Sequence, residues 1–377
     1  MTRKRAISGA RAAMDLCDLA LPYVRSIAQY QPGKPISELE REFGISNAIK
    51  LASNENPLGP SPAALQAARK ALADLARYPD GNGFDLKRAL SEQHQIDPER
   101  IVLGNGSNDV LELVARGYLA PGLNAVYSEH AFAVYPLVTQ AVGAGGIQVP
   151  AKDYGHDLDA MRSAFDDQTR IVFIANPNNP TGTFVEAPAL RAFLESAPGQ
   201  VLVVLDEAYH EYLPDPLKPN SVGWLSEFSN LVITRTFSKA HGLAGLRVGY
   251  ALAHPSIADV MNRVRQPFNV NAIALAAASA ALEDQGFVSK SRHLNAVGME
   301  QLTMGFSELK VGYIPSRGNF VCFEAYDAAT VYQRLLRLGV IVRPVAGYGL
   351  PSHLRVSVGL EEENSLFLKA LKQALQA

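Results

Sequence analysis

The chain predicts an α/β fold, with a large unit around a mostly parallel seven-stranded sheet and a smaller α+β unit after it. Three observations carry this. From Ile101 onward, short runs of Val, Ile and Leu alternate with helical segments, and the runs are nearly continuous, as in strands buried on both faces. Strands alternating with helices imply a parallel sheet covered on both sides. Beyond about residue 255 the rhythm changes to longer helices and shorter strand-like pieces. Finally, 377 residues are long for one hydrophobic core.

Taken in order, residues 8–30 read as an amphipathic helix, and 31–60 as a Pro-, Gly- and Asn-rich irregular stretch. Ser61–Leu75 reads as a helix, with the Ser61 hydroxyl as cap and Pro62 in the first turn. After the turn cluster Tyr78-Pro-Asp-Gly81, a second helix is expected over Phe84–His94. Seven strands follow at Ile101–Leu103, Ala125–Tyr127, Ile147–Val149, Ile171–Ala175, Val201–Leu205, Leu231–Thr234 and Val248–Leu252. Helical stretches near 255–265 and 271–309 lead to strand-like pieces at Phe320–Phe323, Val340–Arg343 and Leu354–Val358, and to a terminal helix over 361–375. The expected division is an arm at 1–60 that joins the smaller domain, a larger domain at 61–265, and a smaller one at 266–377.

Composition narrows the function. Hydrophobic residues make up 47% and charged residues 19%, with a formal net charge of −2, so nothing favours nucleic acid or an anionic membrane as partner. The two cysteines, Cys17 and Cys322, lie far apart, which suits a reducing, cytoplasmic setting and argues against a disulfide framework or a cysteine metal site; no metal is expected. No segment is long and apolar enough to span a membrane, and Arg11, Asp15 and Asp18 interrupt the apolar stretch behind the basic N-terminus.

The most informative stretch is Thr234-Arg-Thr-Phe-Ser-Lys239-Ala-His-Gly-Leu-Ala-Gly-Leu-Arg247, at the end of a predicted strand. A lysine among hydroxyl donors suits an aldehyde-bearing cofactor, because an amine condenses with a carbonyl. The hydroxyls and the arginine eight residues on suit that cofactor's phosphate. In open α/β sheets ligands bind at the carboxyl ends of strands, and four more polar clusters fall there. Gly104-Asn-Gly106-Ser107-Asn108 opens a helix whose free N–H groups suit an anion. Glu129-His-Ala-Phe132-Ala-Val-Tyr135 offers an aromatic that could stack on a planar ring. Asn176-Pro-Asn-Asn179-Pro-Thr-Gly182 holds three asparagines in seven residues, more than a strand exit requires. Asp206-Glu207-Ala-Tyr209 follows five apolar residues, and a carboxylate there needs a cationic or hydrogen-bonding partner, such as a protonated pyridine nitrogen.

Together these motifs resemble the fold-type I pyridoxal-phosphate enzymes of the aspartate aminotransferase superfamily, from about Leu51 to the end of the chain. The opening Lys50-Leu-Ala-Ser-Asn54-Glu-Asn56-Pro, the Tyr78-Pro turn and Leu354-Arg355-Val-Ser-Val are similar to the histidinol-phosphate aminotransferase branch. The resemblance implies pyridoxal 5'-phosphate as cofactor and a homodimer with shared sites. It makes Lys239 the Schiff-base lysine and proton shuttle, pairs Asp206 with the pyridine nitrogen, and sets Asn179 and Tyr209 on the ring hydroxyl. Phe132 would stack on the ring where the family often has tyrosine, without the hydroxyl's hydrogen bond. Ser107, Asn108, Ser238 and Arg247 would hold the phosphate, with Tyr78 reaching it from the neighbouring subunit. Arg355 would take the substrate carboxylate, with Tyr30 and Arg343 as candidates for a substrate phosphate and Asn56 as a further substrate contact.

The implied reaction is ping-pong transamination between glutamate and imidazole-acetol phosphate. An aromatic-amino-acid aminotransferase and a phosphothreonine decarboxylase share the fold. A cofactor-sensing regulatory domain is the reading from another class, and no helix-turn-helix module or long linker supports it.

Overall fold

The computed structural model describes residues 15–29 and 33–376. Its centre is a seven-stranded sheet in the spatial order Ile101–Gly104, Gly249–Ala253, Leu231–Thr236, Leu202–Asp206, Thr169–Ala175, Asn124–Ser128, Gly145–Val149. The last five are mutually parallel, and Gly249–Ala253 runs antiparallel to both its neighbours. All seven runs of branched apolar residues are therefore strands of one sheet, with bounds shifted by one or two residues.

Period-two alternation explains why those runs are apolar throughout. Val172, Ile174, Val203, Leu205 and Ile233 face one core, together with the helices at 62–71, 84–94, 187–196 and 272–283. Ile171, Phe173, Val204 and Val232 face the opposite core, under the helices at 107–118, 134–141 and 255–264. Each fully buried side chain of this size contributes roughly 1.5–3 kcal/mol of transfer free energy.

A four-stranded antiparallel sheet stands beside the large one, in the order Arg343–Pro344, His353–Ser357, Phe320–Glu324, Tyr313–Ile314. Leu302, Phe306, Leu335, Phe367 and Leu371, from the helices at 285–309, 328–337 and 361–376, form its core. A parallel pair, Ile49–Lys50 with Val340–Ile341, ties the N-terminal segment to this region.

Several expectations are corrected. The helix expected over 8–30 is, within residues 15–29, a 3-10 turn at Leu16–Leu19 and one helical turn at Pro22–Arg25; residues 8–14 and Tyr30 lie outside the described residues. Pro22 cannot donate a backbone hydrogen bond, so it starts a new turn instead of extending the previous one. The stretch expected to be irregular contains the helix Ile36–Phe43, ended by Gly44 at φ 64. Leu39 anchors it against Ala52, Leu336 and Ile341. The single helical stretch over 271–309 breaks at Asp284, whose carboxylate caps the second helix by accepting from Phe287 N. Ala274, Ala277, Ala278 and Ala281 of the first helix pack in the larger core, so a boundary at residue 266 would cut that core. The run Val340–Arg343 splits into two short strands with different partners.

Candidate active site

The carboxyl ends of the parallel strands, the edge of the smaller sheet and the segment Ala52–Asn54 enclose a cleft of about 180 Å³. Ser107, Asn108, Phe132, Asn179, Asp206 and Tyr209 line it, as do Ser238, Lys239, Arg247, Arg343 and Arg355.

Lys239 lies three residues beyond the strand Leu231–Thr236. The turn carrying it is closed by Ser238 N donating to Thr236 Oγ1 at 3.1 Å and by Gly242 N donating to Lys239 O at 2.9 Å. Its Nζ donates to Ser53 O at 3.2 Å and lies 5.7 Å from the centre of the Tyr209 ring. Burial pushes the amine's pKa down to about 7, helped by the charges of Arg355 and Arg247 and opposed by Glu55 and Asp206. Near neutral pH a large share of this lysine therefore has a free lone pair, unlike an ordinary lysine with a pKa of about 10.4.

Asp206 ends its strand with the side chain buried in the cleft wall. Burial raises its pKa, while hydrogen bonds from Tyr135 (to Oδ2, 2.8 Å) and Ala208 N (to Oδ1, 3.2 Å) favour the anion. Its neighbour Glu207 has a different task. The Glu207 Oε2 atom accepts from Arg235 Nη2 at 2.7 Å and Nε at 2.9 Å in a buried ion pair away from the cleft lining.

Tyr209 accepts from Asn54 Nδ2 at 2.9 Å, which leaves its own O–H to donate into the cleft. Burial pushes that hydroxyl's pKa up to about 12, so it stays protonated. Asn179 Oδ1 accepts from Arg355 Nη1, and because arginine only donates, this contact fixes which end of the amide is oxygen and leaves Nδ2 as a donor. The other two asparagines shape the loop. Asn176 exchanges hydrogen bonds with the Val185 backbone at 2.8 and 2.9 Å, and Asn178 Nδ2 donates to His130 O and Thr181 Oγ1.

At the opposite wall, the helix Ser107–Tyr118 starts at Gly106 with no side-chain cap, so its first N–H groups have no partner from a capping side chain. Arg247 crosses this helix start and donates to Ser238 Oγ at 3.3 Å. A Cβ on Gly106 would lie 2.3 Å from Arg247 Nη2, and one on Gly249 would lie 2.6 Å from Ser107 N. Glycine at both positions lets a cation, a hydroxyl and a helix N-terminus share one small space, which is a cradle for an anion.

The smaller sheet supplies two arginines. Arg343 and Arg355 are direct partners across antiparallel strands. Arg355 is buried, donates from Nη2 to Ala52 O at 2.9 Å, and has its guanidinium 5.1 Å from the Phe320 ring centre. Two like charges facing each other across a strand pair are unfavourable alone and favourable with a bound anion.

Two of the described sequence-derived site residues are not brought into the cleft of this chain. Tyr78 is 83% exposed and stacks on Phe268 at 4.8 Å. Asn56 is corrected from a substrate contact to a brace: its Nδ2 donates to Ala240 O and Ser291 Oγ and its Oδ1 accepts from Leu58 N, so the amide is used up away from the cleft. Tyr30 lies outside the described residues. In turn, the structure adds Asn54, held at φ 54 by Ser357 and Asn319, and Tyr135, which lies three residues after Phe132 in the same cluster. Among the described residues no group of three or more His, Cys, Asp or Glu could hold a metal ion, and no helix is long and apolar enough to cross a membrane.

The model of the aminotransferase class I and II family matches residues 46–371. The histidinol-phosphate aminotransferase of Methylobacillus flagellatus is 61% identical over 363 residues, 96% of this chain and 98% of that one. Histidinol-phosphate aminotransferase 2 of Pseudomonas aeruginosa is 61% identical over 364 residues, 96% of this chain and 99% of that one. The crystal structure of histidinol-phosphate aminotransferase from Sinorhizobium meliloti in complex with pyridoxal-5'-phosphate matches with a TM-score of 0.88 at 30% identity, over 98% of this chain and 99% of that chain. The chain belongs to the class I and II aminotransferases.

Proposed function

We propose that this protein uses pyridoxal phosphate to transfer the amino group of glutamate to imidazole-acetol phosphate, and in reverse that of histidinol phosphate to 2-oxoglutarate, a step of histidine biosynthesis. The observation that carries the chemistry is Lys239, an amine with a pKa near 7 set among Asp206, Tyr209 and Arg247 in one cleft. The substrate follows from the relatives' names together with the facing pair Arg343 and Arg355.

The donor set suits that cofactor. Lys239 offers the amine, Asp206 the carboxylate for a ring nitrogen, Tyr209 and Asn179 donors for a ring hydroxyl, and the 106–108 helix start with Ser238 and Arg247 a seat for a phosphate. Phe132, half-buried in the lining, offers an apolar face for the ring. When bound, pyridoxal phosphate supplies a carbonyl that takes the amino group and a ring that spreads the charge left on the substrate's α-carbon. Lys239 would take and return the substrate's α-proton at its Nζ. Its near-neutral pKa suits a group that must both take and return a proton. Asp206, as an anion, would favour a protonated ring nitrogen. Arg355 receives the carboxylate of glutamate, and Arg343 adds a second charge for a phosphate ester.

We also assign a homodimer in the cytoplasm. Tyr78, Phe84 and Phe268 are large exposed apolar groups, with Tyr78 stacked on Phe268, as suits a face covered by a second copy. In that assembly Tyr78 would reach the partner's phosphate seat. Mixing Tyr78→Ala and Lys239→Ala subunits should then restore one complete site per heterodimer, whereas action of Tyr78 within its own subunit would restore none.

The deciding assay offers histidinol phosphate, phenylalanine and tyrosine side by side as amino donors to 2-oxoglutarate. Histidinol phosphate should be preferred; phenylalanine outcompeting it would turn the reading to an aromatic-amino-acid aminotransferase. Absorbance of the loaded protein that does not change with glutamate would turn it to a sensor.

A further inference from the structure

Asp206 is the one carboxylate in the cleft lining among the described residues, and its surroundings are asymmetric. Oδ1 accepts from the Ala208 N–H at 3.2 Å and Oδ2 from the Tyr135 hydroxyl at 2.8 Å, and the Thr234 hydroxyl nearby also favours the anion, less strongly than Tyr135 does. The Tyr135 side chain is fully buried, stacked on Phe173 with ring centres 4.7 Å apart and planes 3° from parallel, and it meets Phe132 edge-on at 5.8 Å and 84°. With the ring held on two sides, the hydroxyl has one place to be.

We propose that Tyr135 is a positioning residue for the transamination: its hydroxyl, fixed by the aromatic stack, orients the Asp206 carboxylate and holds it as an anion, leaving Oδ1 to meet the cofactor's ring nitrogen. This rests on the reading of the cleft as a pyridoxal-phosphate site. Burial and the neighbouring Asp206 push the Tyr135 pKa well above that of a free tyrosine, so the group donates at every working pH. A fixed donor lowers the proton affinity of the carboxylate it faces, against the upward push of burial. The other ionisable groups facing Asp206 are Lys239, Tyr209 and Glu207, and of these only Lys239 can bring a positive charge. The helix Val134–Ala141 thus sets two features at once, since Tyr135 holds the carboxylate and supports the edge of Phe132, the ring platform.

The alternative is that Tyr135 only fills space between helix and sheet, in which case phenylalanine would serve equally. Tyr135→Phe keeps the ring and both stacking contacts and removes the hydrogen bond alone. Three measurements on wild type and variant separate the cases: the thermal midpoint, the titration of the Asp206 carboxyl in cofactor-free protein by carbon-13 NMR of labelled aspartate (its signal identified with Asp206→Asn), and the dissociation constant of pyridoxal phosphate by absorbance titration. The expected result is a carboxyl that titrates at higher pH in the variant and a cofactor held about ten-fold more weakly, in line with loss of one hydrogen bond to a charged group. A lowered thermal midpoint with unchanged carboxyl titration and unchanged affinity would overturn the proposal. Failure of the wild type to bind pyridoxal phosphate would instead overturn the cofactor reading, and the carboxyl titration would still decide whether Tyr135 governs Asp206.

Discussion

The two ends of the cleft are built by different means. At the cofactor end, Ser107, Asn179, Asp206 and Lys239 all lie at or within four residues of the carboxyl end of a strand of the large sheet. Each is placed by its own strand and the turn after it, so the group survives small shifts elsewhere. At the anion end, Arg343 and Arg355 meet only through the register of two short antiparallel strands, and Arg355 is then oriented by Ala52 O, Asn179 and Phe320. One end is a set of local solutions and the other a single long-range one. Damage should therefore be confined at the first end and spread at the second.

The sharpest break of the first end is Lys239→Ala. It removes the amine and the proton carrier together, and turnover should fall by about 10⁴-fold or more, while the sheet and much of the phosphate seat remain. Single-turnover kinetics measures the loss. Borohydride reduction of wild type with pyridoxal phosphate, followed by peptide mapping, should place the label on Lys239; a label on another lysine would end the assignment.

A second test uses the energy stored in that amine. In the folded, cofactor-free protein its pKa is about 7, against 10.5 for the free side chain. Between those values the unfolded chain holds the proton and the folded one does not, so stability rises with pH across that window. Below about pH 7 both states are protonated and the penalty of burying the charge is present in full. Lys239→Met lacks the group, so its stability advantage over wild type should be greater at pH 6 than at pH 9, by about 2–3 kcal/mol. Urea midpoints of the cofactor-free proteins read this directly, and an advantage that stays flat with pH would show that the amine keeps an ordinary pKa.

The same contrast explains what the sequence revealed. Lys239, Asp206 and Asn179 are legible because a strand-end site leaves its mark in a few consecutive residues, each beside an apolar run. The paired arginines are twelve residues apart on two strand-like pieces whose register the sequence does not show, and only the likeness to a known family singled them out. Tyr135 and Asn54 were missed for another reason: one reads as a core aromatic and the other as a loop residue, until tertiary contacts bring the first to Asp206 and the second to Tyr209. Asn56 was a likeness taken one residue too far. The helix Ile36–Phe43 stayed hidden because Pro35 and Gly44, read as loop signals, are its two boundaries.

At the anion end, Arg355→Ala should impair both half-reactions by roughly ten- to a hundred-fold, the effect of losing one charge-assisted contact in a desolvated place. Because Asn179 loses the partner that sets its amide, the cofactor's absorbance should also change, which a purely local loss would not produce. Stopped-flow measurement of each half-reaction, with the spectrum recorded alongside, tests both parts. An effect on one half-reaction and an unchanged spectrum would mean that the two ends are less coupled than the contacts suggest.

The smallest effect belongs to Arg343→Ala, and it sharpens the comparison most. Arg343 is more exposed than Arg355, so solvent screens its charge and its share of binding is lower. It faces Arg355 across the strand pair, where a second positive charge favours an anion richer in charge than a single carboxylate. Glutamate should therefore lose little, while histidinol phosphate should show a KM raised about three- to ten-fold with kcat nearly unchanged, the signature of lost ground-state binding. Equal losses for the two substrates would mean that Arg343 supports the strand register and not the phosphate. No loss for histidinol phosphate would move the phosphate's recognition to other residues and remove the structural reason for preferring it over phenylalanine.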